Sequence, residues 1–523
     1  MRIGFAAIYS WRPHVEHLYF LAQLVQKAGH EPHFLVCDGD LPSCYTRELR
    51  GRAAWRECLQ CRLGSIRSYT GRRVDSIGEQ TRKARPADIG QAAYDWAYSS
   101  ASTLGRFESD ADYDCAEFRD TQARLAPAVA KSYAAAREWI HANKLDAVCV
   151  FNARMDATRA IAEASRAANI RFVSLERTWF GDGLQLLPDE NCLGLRSVHS
   201  MVAQWRDRPL TRQQAFMAVS LVAQRFTRTN VREWRAYNQQ ARAIAWPGGS
   251  APRKILLLPS SGNEVRGQAD WKSLWPEPTA AYDALLAHLG VAPGEAVLRC
   301  HPNWAEKIGK CGGERAERYY ADWARRRGVP CISSADSAST TNLIEQCDAI
   351  VVAGGSAALE AGILGKQVIG TAPSPYQEAG FRDPAYDAAQ VSSLRLHVQR
   401  EQREPLSRDI SRRTLRFLYT AAYRIPQYTR FVRAETTTKY WYDLSADPQR
   451  FVNMLTMGTL RADDDTFMET TDGEDEVLAL VRRGEWVALR RPQVIDGNRG
   501  RLNRRPLFRY VDWISDRKPV GDR

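Results

Sequence analysis

Gly354, Gly355 and Ser356 form a glycine–serine loop directly after a short apolar run, and Glu360 stands four residues further on. Glycine allows the backbone to approach a ligand closely, and the free N–H groups at the start of a helix suit a phosphate. Glu360 would lie one helical turn later on the same face, where its carboxylate could accept hydrogen bonds from ribose hydroxyls. A plain strand–turn–helix with a capping serine explains the same residues, so the loop needs support from elsewhere in the chain.

Two more polar loops give that support. Residues 260–267 carry two hydroxyls and an amide, and residues 301–304 begin with the imidazole of His301. With the glycine–serine loop they predict a site for a monophosphate or diphosphate ester that carries a sugar. His301 could bind or protonate a leaving phosphate, although a lone loop histidine is more often a cap at a strand end. The candidate ligand-binding residues in and before these two loops are Ser260, Ser261, Asn263, Arg299, His301 and Asn303.

Short apolar runs alternate with amphipathic stretches, which indicates strand–helix–strand units in both halves of the chain. The strands predicted in the first half are residues 3–9, 33–37, 146–151 and 171–175, with helices at 14–29 and 158–168. The strands predicted in the second half are residues 254–258, 296–300, 330–333 and 349–353. Ligands in such sheets bind at the carboxyl ends of the strands, so the three polar loops should meet. The glycine fingerprint of dinucleotide-binding domains follows neither first strand, which disfavours an NAD enzyme.

The predicted fold class is α/β, with two Rossmann-like domains that face a central cleft. Residues 1–245 form the N-terminal domain, which contains a helical insertion at about 45–145. The turn-rich segment 246–253 (WPGGSAPR) is the predicted boundary, and residues 246–390 form the second domain. Residues 391–523 form a helical and irregular extension, with an acidic patch at 463–475 and arginine-rich stretches that we interpret as solvated surface.

The composition is that of a globular protein, with 44% hydrophobic residues and 15 tryptophans among 523 residues. No apolar run is long enough to cross a bilayer, and the N-terminus is more typical of a first strand than of a signal peptide. The chain is therefore predicted to be soluble and cytoplasmic. Its formal net charge of +12 suits a nucleotide, a nucleic acid, an acidic polymer or an anionic membrane. The basic residues are scattered and not interleaved with aromatic residues, which disfavours nucleic acid.

Eleven cysteines are present, and four of them cluster early in the chain: Cys37, Cys44, Cys58 and Cys61. Four thiolates in two pairs could hold a structural zinc ion. The spacing of the first pair is wider than is usual for zinc ligands. Four reduced, partly buried thiols are the alternative, and structural disulfides are not expected in a cytoplasmic protein.

The segment LRCHPNW, with the later stretch SSADSASTTNLIEQCDAIVVAGGSAALEAGILGKQVIG, resembles the donor half of bacterial capsule and surface-polysaccharide glycosyltransferases of GT-B fold. The pair His301–Pro302 resembles the HP motif of enzymes that use CMP-sugars, such as sialyltransferases and Kdo transferases. Those enzymes have a Ser/Thr pair at the later helix start, whereas Ser356 is followed here by Ala357. Segments of the first half, such as HVEHLYFLAQLVQKAGHEPHFLVCDGDL, are also similar, so the likeness covers roughly residues 1–390.

The resemblance implies transfer of a sugar from a nucleotide-sugar donor, with CMP as the favoured nucleotide, to a hydroxyl of a growing capsule or lipopolysaccharide O-antigen glycan. It implies catalysis without a metal cofactor and adds Pro302 to the donor-binding residues. The implied partners are the nucleotide-sugar and a glycan or glycolipid acceptor, with no nucleic acid. Peripheral association with the cytoplasmic face of the inner membrane is compatible with this class of enzyme.

The resemblance also implies that the first domain holds the acceptor and, in inverting members, a general base. Three residues at predicted strand ends qualify, and we rank them in the order Glu176, His14, Asp156. Asn152 and Arg154 are expected to orient the substrate or neutralise charge. Each of the three candidates also fits a surface charge or a helix cap, and Asp156 in particular could cap the helix at 158–168.

Two other functions remain open. Nucleotide-sugar 2-epimerases share the fold and a similar Gly-Ser…Glu helix start, but the insertion at 45–145 and the long extension argue against a compact epimerase. A non-catalytic glycan- or nucleic-acid-binding protein would be compatible with the net charge, but not with its scattered distribution.

Overall fold

The computed structural model describes residues 1–85, 88–233, 237–397, 400–490 and 499–508. An N-terminal sheet is formed by β1 (Arg2–Ala6), β2 (Glu31–Val36), β3 (Val74–Ser76), β4 (Ala147–Phe151), β5 (Arg171–Arg177) and β6 (Leu184–Pro188). The strands lie in the order β3-β2-β1-β4-β5-β6, and all neighbours are parallel except β5 and β6. Every side chain of β4 is buried, as expected for a central parallel strand that is covered on both faces.

Helices surround this sheet and form the predicted insertion. They are α1 (His14–Lys27), α2 (Tyr45–Arg50), α3 (Ala54–Gly64), α4 (Ile77–Lys83), α5 (Gln91–Gly105), α6 (Asp110–Tyr113), α7 (Ala116–Asn143) and α8 (Asp156–Ala167). The apolar stripe of α1 is buried, which confirms the helix predicted from its periodicity. The insertion between β2 and β4 is helical as predicted, but it also contains β3, which no sequence pattern indicated.

A C-terminal sheet is formed by β7 (Ile255–Leu258), β8 (Ala296–Arg299), β9 (Cys331–Ile332), β10 (Ala349–Val352), β11 (Gln367–Gly370) and β12 (Asp383–Pro384). It is parallel throughout, in the order β12-β11-β10-β7-β8-β9. The helices around it are α9 (Arg196–Trp205), α10 (Arg212–Phe226), α11 (Pro278–His288), α12 (Glu314–Arg327), α13 (Thr340–Gln346), α14 (Ala357–Ile363) and α15 (Ala388–Ser393). The four predicted strands 254–258, 296–300, 330–333 and 349–353 correspond to β7, β8, β9 and β10.

Helices α9 and α10 precede the boundary predicted at residues 245 and 246. Their apolar residues nevertheless share a hydrophobic core with β7 and β10, through side chains such as Val202, Val219 and Leu256. By packing, these helices belong with the C-terminal sheet. The division into 1–245, 246–390 and 391–523 stays a prediction in other respects.

The extension contains α16 (Arg400–Tyr419), β13 (Val432–Ala434), β14 (Tyr440–Tyr442), α17 (Gln449–Met457), α18 (Asp472–Arg482) and α19 (Trp486–Leu489). The antiparallel pair β13–β14 and α17 pack into the core of the N-terminal sheet, whereas α16 and α18 pack into that of the C-terminal sheet. The sequence predicts that the acidic patch is solvated surface, but part of it is buried. Glu474 is fully buried and pairs with Arg416 at 2.8 Å, because α18 is packed against α16.

The two Rossmann-like α/β units face each other across a cleft, in the GT-B-like architecture that the sequence predicts. The extension packs against both units, and some of its residues, such as Ile425 and Lys439, line the cleft. Within the described residues, no helix combines the length and the apolar character needed to cross a membrane.

Candidate active site

A cleft of about 2360 Å³ lies between the two sheets. One wall is formed by the loops at the carboxyl ends of β1, β4 and β5, and the opposite wall by the loops after β7, β8 and β10. Among the residues that the structure describes, thirteen arginines or lysines and five carboxylate residues line it. The cleft therefore carries an excess of positive charge, which attracts anionic ligands.

Glu176 near the end of β5 and His14 at the start of α1 are joined across the first wall. Nε2 of His14 lies 2.5 Å from Oε1 of Glu176, and Asn152 donates from Nδ2 to the other carboxylate oxygen at 2.9 Å. Burial raises the pKa of Glu176, but the charge of His14 and the hydrogen bonds from His14 and Asn152 outweigh it and lower the pKa to about 2. Glu176 is therefore a carboxylate at neutral pH, and the structure brings three predicted residues into one group.

The loop that carries Asn152 has an unusual backbone. Asn152 and Ala153 have φ angles of +63° and +55°, a left-handed conformation that costs roughly 1–2 kcal/mol for each residue with a Cβ. This turn directs Asn152 towards Glu176, and Oδ1 of Asn152 accepts the backbone N–H of Arg154 at 3.1 Å. Strained backbone of this kind clusters at functional sites, where neighbouring contacts hold it in place.

Arg154 leaves the same loop and reaches the opposite wall. Its guanidinium donates to the hydroxyl of Ser99 at 2.7 Å and to the backbone oxygen of Glu264 at 3.1 Å. The side chain is buried although it lines the cleft. Arg154 therefore connects the two walls, and the substrate-orienting role predicted for it would act through this connection.

Asp156, the third candidate for the base, begins α8 and is fully buried. Its carboxylate accepts hydrogen bonds from the hydroxyl of Tyr9 and, at 3.0 Å, from the backbone N–H of Tyr45. Burial raises its pKa, and these hydrogen bonds oppose that rise. A general base must reach the proton that it removes, and Asp156 does not line the cleft. The structure thus contradicts the predicted catalytic role and gives Asp156 a structural one, which ties α8 to the segments around Tyr9 and Tyr45.

The second wall is built from the two polar loops after β7 and β8. Trp304 donates from Nε1 to the hydroxyl of Ser261 at 2.8 Å, and this bond joins the two loops. The hydroxyl of Ser261 also lies 3.4 Å from Oδ1 of Asn303. The predicted residues of these loops that line the cleft are Ser260, Ser261, Asn263, His301 and Asn303. Pro302 begins the short 3₁₀ turn Pro302–Ala305 and does not line the cleft.

His301 holds a defined tautomer. Its Nδ1 accepts the backbone N–H of Asn303 at 3.2 Å, so the ring proton of the neutral form lies on Nε2. Burial lowers the pKa of His301 to about 4, and a hydrogen bond with the side chain of Asn303 only partly opposes this. The residue therefore presents a neutral N–H donor at the cleft, which suits a phosphate oxygen better than it suits proton transfer.

The glycine–serine loop lies on the same wall, between the other two loops and α14. A Cβ added to Gly354 would lie 3.4 Å from the ring of Trp271, and one added to Gly355 would lie 3.1 Å from the hydroxyl of Ser260. Neither glycine has a positive φ, so close approach and not an unusual turn explains them. Ser356 occupies the N-cap position of α14, but its hydroxyl makes no capping hydrogen bond and is exposed at the cleft. The alternative of a plain capping serine therefore lacks its capping hydrogen bond.

Arg299 and Glu360 do not line the cleft, contrary to prediction. Arg299 is buried at the end of β8 and donates to the backbone oxygens of Ser333 and Asp336, which fixes the loop after β9. Glu360 accepts a bond of 2.8 Å from Arg225 on α10. Both side chains are engaged by hydrogen-bond partners within the chain, and among these partners Arg225 also lines the cleft.

The insertion supplies two cleft residues that no sequence pattern indicated. Arg106, just after α5, donates to the backbone oxygens of Glu306 at 2.7 Å and of Asn303 at 3.0 Å. Glu108 accepts the backbone N–H of Gly262 at 3.1 Å and the hydroxyl of Tyr320 at 3.1 Å. The insertion thus holds both polar loops of the second wall in place. Single charged residues in a polar stretch carry no periodic signal, so only the tertiary structure identifies them.

Glu108 leads to a prediction about pH. Burial raises its pKa from 4.5 to about 7, more than the bonds from Gly262 and Tyr320 lower it. The folded protein then retains a proton that the unfolded chain loses above about pH 4.5, so this residue reduces stability as the pH rises from 4.5 through 7. The change amounts to roughly 3 kcal/mol. We expect Glu108→Gln to lose this decline, which urea unfolding at a series of pH values would measure.

Glu117→Gln is the matched control, since Glu117 is an exposed carboxylate on the same insertion and pairs with Arg315. It should follow the wild-type pH dependence. If the free energy of unfolding changed with pH in the same way for wild type and Glu108→Gln between pH 4.5 and 8, the raised pKa of Glu108 would be contradicted.

Cys37, Cys44, Cys58 and Cys61 line a small cavity of about 20 Å³. In the described part of the chain, no three or more cysteine, histidine, aspartate or glutamate side chains form a group that could hold a metal ion. Burial raises the pKa of Cys37 to about 11 and that of Cys44 to about 12, so both are neutral thiols. This arrangement matches the alternative of reduced thiols and gives the predicted structural zinc no support.

Solved structures similar to this chain include Kdo transferases, UDP-GlcNAc 2-epimerases and a rhamnosyltransferase. The β-Kdo 2,4 transferase of Thermosulfurimonas dismutans KpsC is 15% identical, covers 64% of this chain and 87% of its own, and gives a TM-score of 0.33. The UDP-GlcNAc 2-epimerase of Neisseria meningitidis, with bound UDP-GlcNAc, is 12% identical. The match covers 79% of this chain and 97% of the epimerase, with a TM-score of 0.27. The spinosyn rhamnosyltransferase SpnG is 14% identical. The match covers 79% of this chain and 96% of SpnG, with a TM-score of 0.25.

No family model matches the chain, and no curated protein sequence matches it significantly. The Kdo transferase is of the class that the segment with His301–Pro302 resembles, and the epimerase is of the class named as the alternative. TM-scores as low as these do not decide between a transferase and an epimerase.

Proposed function

We propose that the protein is a glycosyltransferase that moves a sugar from a nucleotide-sugar donor to a hydroxyl of an acceptor glycan. One observation carries the proposal. The group His14–Glu176–Asn152 stands on one wall of the cleft, and the loops with Ser261, His301 and Ser356 stand on the other. A proton acceptor opposite an anion-binding wall is what a transfer between a hydroxyl and a sugar phosphate requires.

In the proposed reaction, the acceptor hydroxyl oxygen forms a bond to the anomeric carbon of the donor sugar, and the bond from that carbon to the phosphate oxygen breaks. The electron pair of the broken bond leaves with the nucleotide. Glu176 takes the hydroxyl proton, and its contact of 2.5 Å with His14 holds the carboxylate in place. Glu176 has the more exposed side chain of the pair, at 21% against 9%, and is therefore the partner that meets the acceptor.

On the opposite wall, the Nε2–H of neutral His301 donates to a phosphate oxygen of the donor. The exposed hydroxyl of Ser356 and the close-packed backbone of Gly354 and Gly355 complete the phosphate contact in this proposal. The excess of basic side chains along the cleft balances the negative charge of the leaving nucleotide. This chemistry needs no metal ion.

CMP is the first nucleotide to try, because of the resemblance of His301–Pro302 to the HP motif, and a capsule or O-antigen glycan is the proposed acceptor. The test is a thermal-shift screen with CMP, UDP, GDP and dTDP. A nucleotide present at 100 times its dissociation constant stabilises the folded protein by about 2.7 kcal/mol. If none of the four raises the melting temperature, the proposal is wrong.

The matching nucleotide-sugar then separates transfer from epimerisation. A transferase yields the free nucleotide and a glycosylated acceptor, and only slow hydrolysis without one. An epimerase converts the donor sugar to its 2-epimer with no acceptor present. Rapid formation of a 2-epimer from UDP-GlcNAc alone would replace the proposed function by the alternative.

A further inference from the structure

Two cysteines meet at the ends of neighbouring strands beside the second wall. Cys300 directly follows β8, and Cys331 begins β9. The backbone N–H of Cys300 donates to the oxygen of Ile332 at 3.0 Å, so the two strands are firmly paired at this point. The two sulfur atoms lie 3.8 Å apart, in van der Waals contact.

The two thiols have different surroundings. Cys331 is exposed, whereas Cys300 is buried. A hydrogen bond from the Cys300 thiol lowers the pKa of Cys331, and the charges of Arg299 and Arg325 add to this effect. Partial burial and the charge of Glu317 oppose it without cancelling it. The same hydrogen bond, together with burial, raises the pKa of Cys300. A thiol of lowered pKa that is accessible to solvent and adjacent to a second thiol is the arrangement of a reactive and a resolving cysteine.

The other cysteines lack this combination. Cys331 is the exposed one among the eleven, all of which lie in the described residues. The early cluster contains partly buried thiols, and burial raises the pKa of Cys37, Cys44 and Cys61. Oxidation should therefore be selective for the pair at the strand ends.

We propose that Cys300 and Cys331 are a redox modification site, at which a hydroperoxide converts the dithiol to a disulfide. The Cys331 thiolate attacks the terminal oxygen of the hydroperoxide, the O–O bond breaks, and the products are a sulfenic acid and an alkoxide, which is hydroxide when the oxidant is hydrogen peroxide. The thiol of Cys300 then attacks the sulfenic sulfur, which forms the S–S bond and releases water. The two thiols are oxidised by two electrons, the peroxide is reduced, and a small dithiol reverses the change.

The position of the pair gives the disulfide a consequence. Cys300 is the residue before His301, and a disulfide must bring the sulfurs from 3.8 Å to about 2.05 Å. Closure therefore pulls the end of β8 towards β9 and moves the turn that holds His301. The oxidised protein should therefore bind the nucleotide phosphate more weakly. This inference rests on the proposed function.

The first experiment needs no enzymatic activity. The full chain is treated with hydrogen peroxide, thiols are blocked, and a non-reduced tryptic digest is analysed by mass spectrometry. We expect a linked pair of peptides, residues 300–307 and 328–366, that separates on reduction with dithiothreitol. Cys331→Ser should abolish the link, and Cys115→Ser, a partly buried cysteine at the start of α7, should retain it. Absence of the linked peptides in wild type would overturn the proposal.

The second experiment measures the dissociation constant of the best nucleotide before oxidation, after it, and after reduction. We expect a reversible weakening of at least severalfold in wild type and none in Cys331→Ser, which avoids any change to the buried Cys300. A disulfide that forms without changing this affinity would overturn the effect on His301. If reduced wild type binds no nucleotide but the disulfide still forms, the proposed function fails and the redox site stands.

Discussion

Replacing Glu176 by glutamine is expected to lower the kcat of sugar transfer by about 10²- to 10⁴-fold, the usual contribution of a general base. Glutamine keeps the size of the side chain and an oxygen for the amide of Asn152, but it cannot take a proton. Nucleotide affinity should remain within about twofold of wild type, because Glu176 lies on the wall opposite the phosphate loops. Initial rates with the donor identified by the screen, together with calorimetric titration of the nucleotide, would measure both quantities.

Glu163→Gln is the matched control for this variant. Glu163 is 15% exposed, against 21% for Glu176, and it pairs with Arg159 and Arg166 away from the cleft. It should retain wild-type kcat. If His14 and Glu176 act as one unit, the double variant with His14→Asn should be no slower than the slower single variant. A Glu176→Gln enzyme with more than about a tenth of wild-type kcat would exclude this residue as the base.

Replacing His301 by alanine is expected to weaken nucleotide binding by about 10- to 100-fold. The change removes a hydrogen bond from a neutral N–H to a charged phosphate, and hydrogen bonds to charged groups contribute about 1.5–3 kcal/mol. Because the pKa of His301 is lowered to about 4, the loss should be constant from pH 6 to 8. Calorimetric titration across this range would check both the size and the pH independence.

Two comparisons make the His301 result specific. His288→Ala changes a histidine that lies away from the cleft and contacts the backbone oxygen of Leu394, and it should leave nucleotide affinity unchanged. The nucleoside without its phosphate should bind His301→Ala and wild type almost equally. Equal losses for the nucleoside and the nucleotide would show that His301 does not act on the phosphate.

Much of the framework could be predicted because it depends on local patterns. The apolar period of α1 and the short apolar runs of β4, β7 and β10 need no tertiary information to be recognised. The three polar loops could be placed together because parallel strands bring their carboxyl ends to one edge. Strand β6 escaped prediction, since Leu184–Pro188 is a short apolar segment after a glycine-rich turn that periodicity does not separate from a loop.

The individual site residues could be predicted less well. A polar residue at a strand end faces either the cleft or the neighbouring elements, and the sequence does not decide which. Glu176 faces the cleft, whereas Asp156 and Arg299 turn inward to hydrogen-bond partners that are distant in sequence. Glu360 is paired with Arg225, a residue on a helix that the predicted boundary assigned to the other domain. Such pairings follow from packing of whole elements and leave no local signal.

The contacts of Arg106 and Glu108 with the loops of the opposite wall have a consequence for how such a protein can diversify. In enzymes made of two α/β units, a new donor specificity could be acquired by recombination that exchanges the second unit as a module. Here the incoming unit would need to accept Arg106 at the backbone oxygen of Asn303 and Glu108 at the N–H of Gly262. Recombination would therefore have to transfer the insertion together with the loops after β7 and β8. These segments are encoded by separate stretches of the gene.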